Sequence, residues 1–112
     1  MNILILGYGK MGKAIEAVAI QKGHQVVFKI DVSNADSFTQ ELASTADVAI
    51  EFTGPHSAFE NVKKCIAWGV PVVSGSTGWL DQWAVIKNLC EEKNGTLIYS
   101  SNYSIGVNLF FE

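Results

Sequence analysis

Three glycines near the amino terminus have a spacing that suits phosphate binding. Gly7, Gly9 and Gly12 form the pattern G-x-G-x-x-G between the apolar run NILIL and a segment with helical periodicity. Between a strand and a helix, the first glycine permits a tight turn and the second lets the backbone approach a pyrophosphate. The third lets the helix pack closely on the strand. The helix N-terminus then favours the negative charge, so we expect a dinucleotide here. The alternative is an ordinary tight turn.

Asp31 is the second candidate ligand, because it ends the second predicted strand 19 residues after Gly12. A carboxylate at this position can accept hydrogen bonds from both hydroxyls of an adenosine ribose. It would repel a 2′-phosphate, and the chain has eight lysines but no arginine. NADH is therefore favoured over NADPH, with Lys10 and Lys13 close enough in sequence to soften the preference. The alternative for Asp31 is a solvated loop residue.

Strands and helices alternate five times along the chain, with short connections. Strands are predicted over residues 2–6, 25–30, 47–53, 70–74 and 96–100. Helices are predicted to begin at Met11, Asn34, Pro55 and Trp79 and to end near Gly23, Ser44, Gly69 and Gly95. Such alternation builds a parallel sheet with helices on both faces. We predict a Rossmann-type doubly wound α/β fold of about five strands, with a single domain over residues 1–108.

The carboxyl-terminal segment GVNLFFE predicts a loop followed by the first residues of a helix. We interpret residues 109–112 as the start of a crossing into a substrate domain that this chain lacks, and the chain as a fragment of a longer protein. The alternative is a frayed end that docks on its own domain. An exposed apolar helix start would favour self-association.

Small and polar residues fall at the carboxyl end of every predicted strand, where doubly wound sheets bind ligands. In chain order these ends are GYGKMG, Asp31, FTGP, GSTG and SSNYS. The segment GSTG resembles a second turn made for close backbone approach, suited to a nicotinamide or its ribose. Each segment alone is an ordinary turn, whereas their agreement on one edge predicts a single binding site.

Composition excludes several classes of function. The 112 residues carry a net charge of -3, which disfavours nucleic acid as a partner. Neither a membrane span nor a signal peptide is recognisable, so we expect a cytoplasmic protein. Cys65 and Cys90 are expected to be reduced thiols packed as small hydrophobes, and no metal site is recognisable.

Other conspicuous residues are given structural roles. His24 is expected in a surface turn and His56 at a solvent-facing helix start. Glu51 lies inside an apolar strand, where we expect a structural hydrogen bond instead of acid–base work. Trp79 and Trp83 are expected to pack on the sheet. We identify no catalytic residue in the chain.

Four segments together resemble the N-terminal nucleotide-binding domain of the dihydrodipicolinate reductase family. They are GYGKMG at 7–12, EFTGPHSAFEN at 51–61, GVPVVSGSTGW at 69–79 and SSNYSIGVN at 100–108. The resemblance implies reduction of a cyclic imine-type intermediate of the diaminopimelate and lysine pathway, with hydride from NADH or NADPH. It implies that a small dicarboxylate substrate binds with the help of the missing domain.

The resemblance also implies roles for individual residues. The pyrophosphate would contact residues 7–12, and the adenosine ribose would contact Asp31. The remaining cofactor contacts implied are Tyr8, Lys10 and Met11 within the turn, and Phe52, Thr53, Gly75, Ser76, Thr77, Ser100, Ser101, Asn102 and Tyr103. Many members have an arginine at the position of Lys10, an aspartate at that of Glu51 and a threonine at that of Ser76.

Two alternative functions remain. One is the Rossmann half of another oxidoreductase, such as an amino-acid or sugar dehydrogenase, which the segment SSNYSIGVN disfavours. The other is a non-catalytic module that binds CoA or senses NADH. Asp31 suits the adenosine ribose of a nicotinamide dinucleotide and would repel the nearby 3′-phosphate of CoA.

Overall fold

The predicted alternation of strands and helices is confirmed. The computed structural model describes residues 1–31, 33–76, 79–100 and 107–111. The strands are β1 (Asn2–Leu6), β2 (Gln25–Ile30), β3 (Val48–Glu51), β4 (Val72–Ser74), β5 (Thr96–Ser100) and β6 (Val107–Phe111). The helices are α1 (Lys10–Gln21), α2 (Gln40–Ala43), α3 (Pro55–Ala67) and α4 (Trp83–Lys93), with short 3-10 turns at Ala35–Ser37 and Leu80–Gln82.

The strands form one sheet in the order β2-β1-β3-β4-β5-β6. The first five are parallel, as expected, and β6 runs antiparallel to β5. The chain leaves β1 toward one side of the sheet to form β2 and returns to the other side to form β3. This reversal is the topological switch point at which doubly wound sheets bind ligands.

The predicted helix at the carboxyl end is wrong. Residues 107–111 form β6, with Val107 opposite Ser100 and Phe111 opposite Thr96. Valine and phenylalanine favour strands. Without β6, the backbone of β5 would have no partner strand on that side.

The predicted helix over residues 34–44 is shorter than expected. Asn34 does not cap it, because its side-chain oxygen accepts a hydrogen bond from the backbone N–H of Asp31 at 2.7 Å. The helix α2 begins after Thr39 instead, whose hydroxyl oxygen accepts from the backbone N–H of Leu42 at 3.3 Å.

The core lies on both faces of the sheet, because successive residues of a strand point to opposite sides. Ile3 and Ile5 pack with Ala19 of α1 on one face. Leu4 and Leu6 belong to the larger cluster on the other face, which includes residues of α3 and α4. Among the described residues, none of the helices has the length and apolar character that a bilayer crossing would require.

The expected packing roles of Trp79 and the cysteines are confirmed. Trp79 is fully buried and meets the ring of Tyr99 edge-on, with 5.5 Å between the centroids. It precedes α4, which begins later than its spacing suggested. Cys65 and Cys90 are both buried, and neither is part of a disulfide. Burial, helped by the Glu51 carboxylate, raises the pKa of Cys65 to about 12.

Candidate functional site

The carboxyl ends of the five parallel strands lie in one row across the sheet. In the register of the sheet, Leu6 pairs with both Ile30 and Glu51, Glu51 pairs with Ser74, and Ser74 pairs with Tyr99. The residue that follows each of these forms a rim, which in spatial order consists of Asp31, Gly7, Phe52, Gly75 and Ser100. The sequence predicted all five as ligands from separate segments, and the sheet brings them together.

Backbone hydrogen bonds continue the sheet into this rim. The N–H of Gly7 donates to Ile30 O at 2.7 Å, that of Phe52 to Leu6 O at 2.8 Å, and that of Gly75 to Glu51 O at 2.8 Å. Pairing between strands therefore continues one residue into the rim at Gly7, Phe52 and Gly75.

A cleft of about 460 Å³ opens above the β1, β2 and β3 ends of this rim. Six of the predicted contacts line it, and they are Gly7, Tyr8, Gly9, Asp31, Phe52 and Thr53. Five further lining residues were not predicted as ligands, and they are Ile30, Ala35, Ser57, Asn61 and Lys64. The spacing of Ser57, Asn61 and Lys64 at i, i+4 and i+7 on α3 marks a single helix face, which the sequence could have indicated.

The glycine turn has the geometry that a dinucleotide-binding turn needs. Gly7 has a φ of 98°, and a Cβ added there would lie 2.3 Å from the carbonyl oxygen of Phe52. A Cβ on Gly12 would lie 2.1 Å from the carbonyl oxygen of Gly7, so only glycine lets α1 approach the turn this closely. A Cβ on Gly9 would meet nothing within 4 Å. The cleft therefore has space beside the second glycine.

The first turn of α1 is also suited to an anion. Gly9 is its N-cap, which brings no side chain to cap the helix, and no acidic residue lies in the first turn. Lys10 is exposed and Met11 is half-buried in that turn. Neither is among the residues that line the cleft.

Tyr8 is held at the cleft by two charged neighbours. Its hydroxyl donates to Glu16 Oε1, while Lys29 Nζ lies 3.0 Å from Glu16 Oε2 and 4.9 Å from the centre of the Tyr8 ring. The hydrogen bond to Glu16 raises the pKa of Tyr8, and the same bond, followed by that of Lys29, lowers the pKa of Glu16. The tyrosine therefore stays neutral and its ring has a fixed orientation beside the glycine turn.

Asp31 is held as an anion by the residues that follow β2. Its Oδ1 accepts from the hydroxyl of Ser33 at 2.6 Å and from the backbone N–H of Ser33 at 2.9 Å. These two bonds, the hydroxyl first, lower the pKa of Asp31. The carboxylate is thus ionised where the cleft meets the end of β2.

The structural hydrogen bond expected of Glu51 is confirmed, and it is one of four. The carboxylate is fully buried at the end of β3. Oε1 accepts from the hydroxyl of Ser74 at 2.6 Å. Oε2 accepts from the hydroxyl of Ser76 at 2.6 Å, from the N–H of Thr53 at 2.7 Å and from the hydroxyl of Thr53.

Gly75 and Ser76 are enclosed by neighbouring groups. A Cβ on Gly75 would fall 1.9 Å from Cε1 of Phe52, so the phenylalanine ring lies directly on the glycine. Ser76 is 6% exposed, and besides donating to Glu51 its hydroxyl accepts from the N–H of Gly54 at 3.0 Å. Its hydroxyl therefore already has partners within the chain.

Several predicted contacts lie outside the described residues. They are Thr77, Ser101, Asn102 and Tyr103, whereas Ser100 is described as the last backbone position of β5. His24 contacts the amino terminus through Nδ1 at 3.1 Å, at the opposite edge of the sheet from the rim. Over the described ranges, no three acidic, histidine or cysteine side chains come together as a metal ion would require.

Comparisons with known proteins agree with this geometry. The family described as dihydrodipicolinate reductase, N-terminus, matches residues 1–103. A relative named 4-hydroxy-tetrahydrodipicolinate reductase, from Christiangramia forsetii, is 46% identical over 114 residues, which cover 100% of this chain and 46% of that protein. The chain thus spans less than half the length of this relative.

Solved structures share the fold. A dipicolinate-bound dihydrodipicolinate reductase from Paenisporosarcina sp. TG-14 superposes with a TM-score of 0.73 at 26% identity, over 91% of this chain and 47% of that one. A probable dehydrogenase from Thermotoga maritima superposes with a TM-score of 0.76 at 13% identity, over 89% of this chain and 36% of that one. The second likeness concerns the fold alone.

Proposed function

Because the chain belongs to the dihydrodipicolinate reductase family, whose N-terminal domain it matches, we propose that it binds the nicotinamide cofactor of a 4-hydroxy-tetrahydrodipicolinate reductase. The whole enzyme would act in the diaminopimelate and lysine pathway. The observation that carries the proposal is the row Asp31, Gly7, Phe52, Gly75 and Ser100 at the carboxyl edge of the sheet. A dinucleotide needs such a continuous rim, because its two halves bind on either side of the switch point.

The proposed binding mode assigns each part of the cofactor to one part of the rim. The pyrophosphate binds the backbone of residues 7–12 at the N-terminus of α1, beside the open space at Gly9. The adenosine ribose hydroxyls donate to the ionised carboxylate of Asp31. The nicotinamide half extends past Phe52 toward Gly75, Ser76 and Thr77, with Ser100, Ser101, Asn102 and Tyr103 beyond them.

We further propose that NADH binds more tightly than NADPH. The carboxylate of Asp31 would face the 2′-phosphate of NADPH and repel it. Lys64 lines the same cleft, however, and is exposed. Its ammonium group offsets part of the repulsion, so we expect a moderate preference and measurable binding of both cofactors.

The bound cofactor supplies hydride. The chain's own residues bind and orient it: Asp31 and the glycine turn hold the adenosine and phosphate groups, and the Phe52 ring fills the space above Gly75. Reduction of an imine also needs a proton donor and an anchor for the dicarboxylate. His24 contacts the amino terminus at the far edge of the sheet. We therefore propose that the 112-residue chain by itself binds cofactor without turning over the substrate.

We further propose that the chain self-associates, through an edge strand and not through the helix start that the sequence suggested. The carboxyl end is an edge strand and not an exposed helix start. Edge strands with apolar sequences are sites of pairing between chains. We also propose a cytoplasmic location, where cysteines outside disulfides, such as Cys65, are usual.

Titration calorimetry of the chain with NADH, NADPH and CoA tests the cofactor proposal. We expect NADH to bind most tightly, NADPH more weakly and CoA not measurably. Failure of NADH to bind would contradict the proposed function, and preferential binding of CoA would favour a non-catalytic nucleotide module. A parallel assay follows loss of NADH absorbance with enzymatically generated substrate, and turnover by the chain would contradict the proposal that it only binds.

A further inference from the structure

We propose that Glu51 is a positioning residue of the cofactor site. Its buried carboxylate joins the loops that follow β3 and β4, and thereby sets the backbone that faces the dinucleotide. This inference rests on the proposed function, since it assigns a role within the same site. Glu51 is fully buried and cannot itself touch the cofactor, so it acts through its neighbours.

The burial of this carboxylate needs a physical explanation. An ionised carboxylate is very unfavourable in a protein interior unless polar groups surround it. Here four donors from three residues do so, among them the hydroxyls of Ser74 and Ser76 at 2.6 Å each. The carboxylate also accepts from Thr53, next to the N-cap of α3 at Gly54, where the helix dipole favours negative charge.

The donors come from two different loops, and this gives the carboxylate a positioning role. Oε2 accepts from Thr53 in the loop after β3 and from Ser76 in the loop after β4. Ser76 in turn accepts from the N–H of Gly54, which links the two loops a second time. A change at Oε2 would therefore release both loops together.

The loop after β3 is in direct contact with the cleft. Phe52 and Thr53 line it, and the carbonyl of Phe52 presses on Gly7 so closely that a Cβ on Gly7 would lie 2.3 Å away. The hydroxyl of Thr53 also accepts from Asn61 Nδ2 at 3.4 Å, on the face of α3 that lines the cleft. The contacts of Glu51 therefore reach α3 through Thr53, and they reach the glycine turn through the adjoining Phe52.

Oε1 differs from Oε2 in a way that provides a control. It accepts from Ser74, which belongs to β4 itself and does not line the cleft. Loss of the Ser74 hydroxyl removes a buried 2.6 Å hydrogen bond to the same carboxylate, while it leaves the contacts of Oε2 with the two loops in place.

The test compares Glu51→Gln with Ser74→Ala in the ligand-free chain and in NADH titrations. In Glu51→Gln we expect faster amide hydrogen exchange at Thr53 and Gly54 and an NADH dissociation constant raised about ten-fold. In Ser74→Ala we expect a similar fall in melting temperature, unchanged exchange at those two amides and a dissociation constant within about two-fold. If Glu51→Gln does not fold, Ser76→Ala replaces it, with Ser76→Thr expected to restore the exchange and the affinity.

Two results would overturn the positioning role. One is unchanged exchange at Thr53 and Gly54 in both Glu51→Gln and Ser76→Ala. The other is a rise in the NADH dissociation constant that is the same in Ser74→Ala, because a loss of general stability would then explain both. Absence of NADH binding by the unaltered chain would instead contradict the proposed function, while the exchange measurement would still decide whether Glu51 holds the loops.

Discussion

The two sides of the rim are built differently. On the glycine-turn side, formed by Gly7, Gly9 and Asp31, the cleft presents open backbone and an ionised carboxylate. On the β3–β4 side, formed by residues 52–54 and 75–76, the side-chain hydroxyls are already bonded to Glu51 or Gly54. The first side is therefore suited to recognise ligand groups directly. The second side contributes a backbone surface whose position is fixed by hydrogen bonds to the buried Glu51 carboxylate.

This difference predicts that substitutions on the glycine-turn side separate into effects on folding and effects on binding. Gly12→Ala should show the largest effect on folding. Its Cβ would lie 2.1 Å from the carbonyl oxygen of Gly7, and since the backbone fixes the positions of both atoms, α1 has to move. We expect the free energy of unfolding to fall by about 3 kcal/mol in urea denaturation. Gly9→Ala is the control, with a change below about 1 kcal/mol, and equal losses would contradict the close packing of α1.

Gly9→Val should show the largest effect on binding with little effect on folding. The backbone of Gly9 is extended, with a φ of -86° and a ψ of -152°, and no atom beyond its own turn lies within 4 Å of its Cβ position. The valine side chain would occupy the space assigned to the pyrophosphate. We expect NADH affinity to fall at least about 100-fold by calorimetry, with a melting temperature close to that of the unaltered chain. Normal NADH binding by this variant would place the pyrophosphate elsewhere.

Asp31→Ala tests the charged part of the glycine-turn side. Loss of charge-assisted hydrogen bonds to the ribose should weaken NADH binding by about 1–2 kcal/mol. The same change should leave NADPH binding unchanged or improved, because repulsion of the 2′-phosphate is removed. Asp81→Ala, an exposed acidic residue of the second 3-10 turn, is the control. An equal loss for both cofactors would argue against a ribose contact.

Lys64→Ala tests whether α3 supplies the cation that offsets Asp31. We expect NADPH affinity to fall about three-fold and NADH affinity to change little, since an exposed charge is partly screened by solvent. Lys63→Ala is the matched control, because Lys63 is also exposed and does not line the cleft. Identical behaviour of the two variants would assign the offset to another group.

Ser33→Ala should show the smallest effect. The Ser33 hydroxyl is the main reason that the pKa of Asp31 lies below its usual value of 3.8. Because the folded-state pKa is lowered, the stabilisation from this contact is present above that usual value and is lost as the pH falls through the folded-state pKa. In the variant, Asp31 should protonate at a higher pH, which an NMR titration of its carboxyl carbon would detect. Ser37→Ala should leave the titration unchanged.

The sequence by itself determined the order of elements and the residues at the strand ends. The periodicity of each segment is local, and β5 was predicted with the bounds that it has in the structure, Thr96–Ser100. Parallel strands that end in a row bring their next residues together whatever their side chains are. The gathering of Asp31, Gly7 and Phe52 at one edge therefore followed from the alternation, whereas their order along that edge is set by the strand order β2-β1-β3.

The tertiary structure alone decided contacts that no local pattern encodes. The segment 107–111 has helical and extended alternatives, and pairing with β5 selects the extended one. Ser76 looked like a free ligand, yet Glu51, 25 residues earlier, already accepts its hydroxyl. In both cases the partner belongs to another element, so its proximity arises only once the sheet has formed.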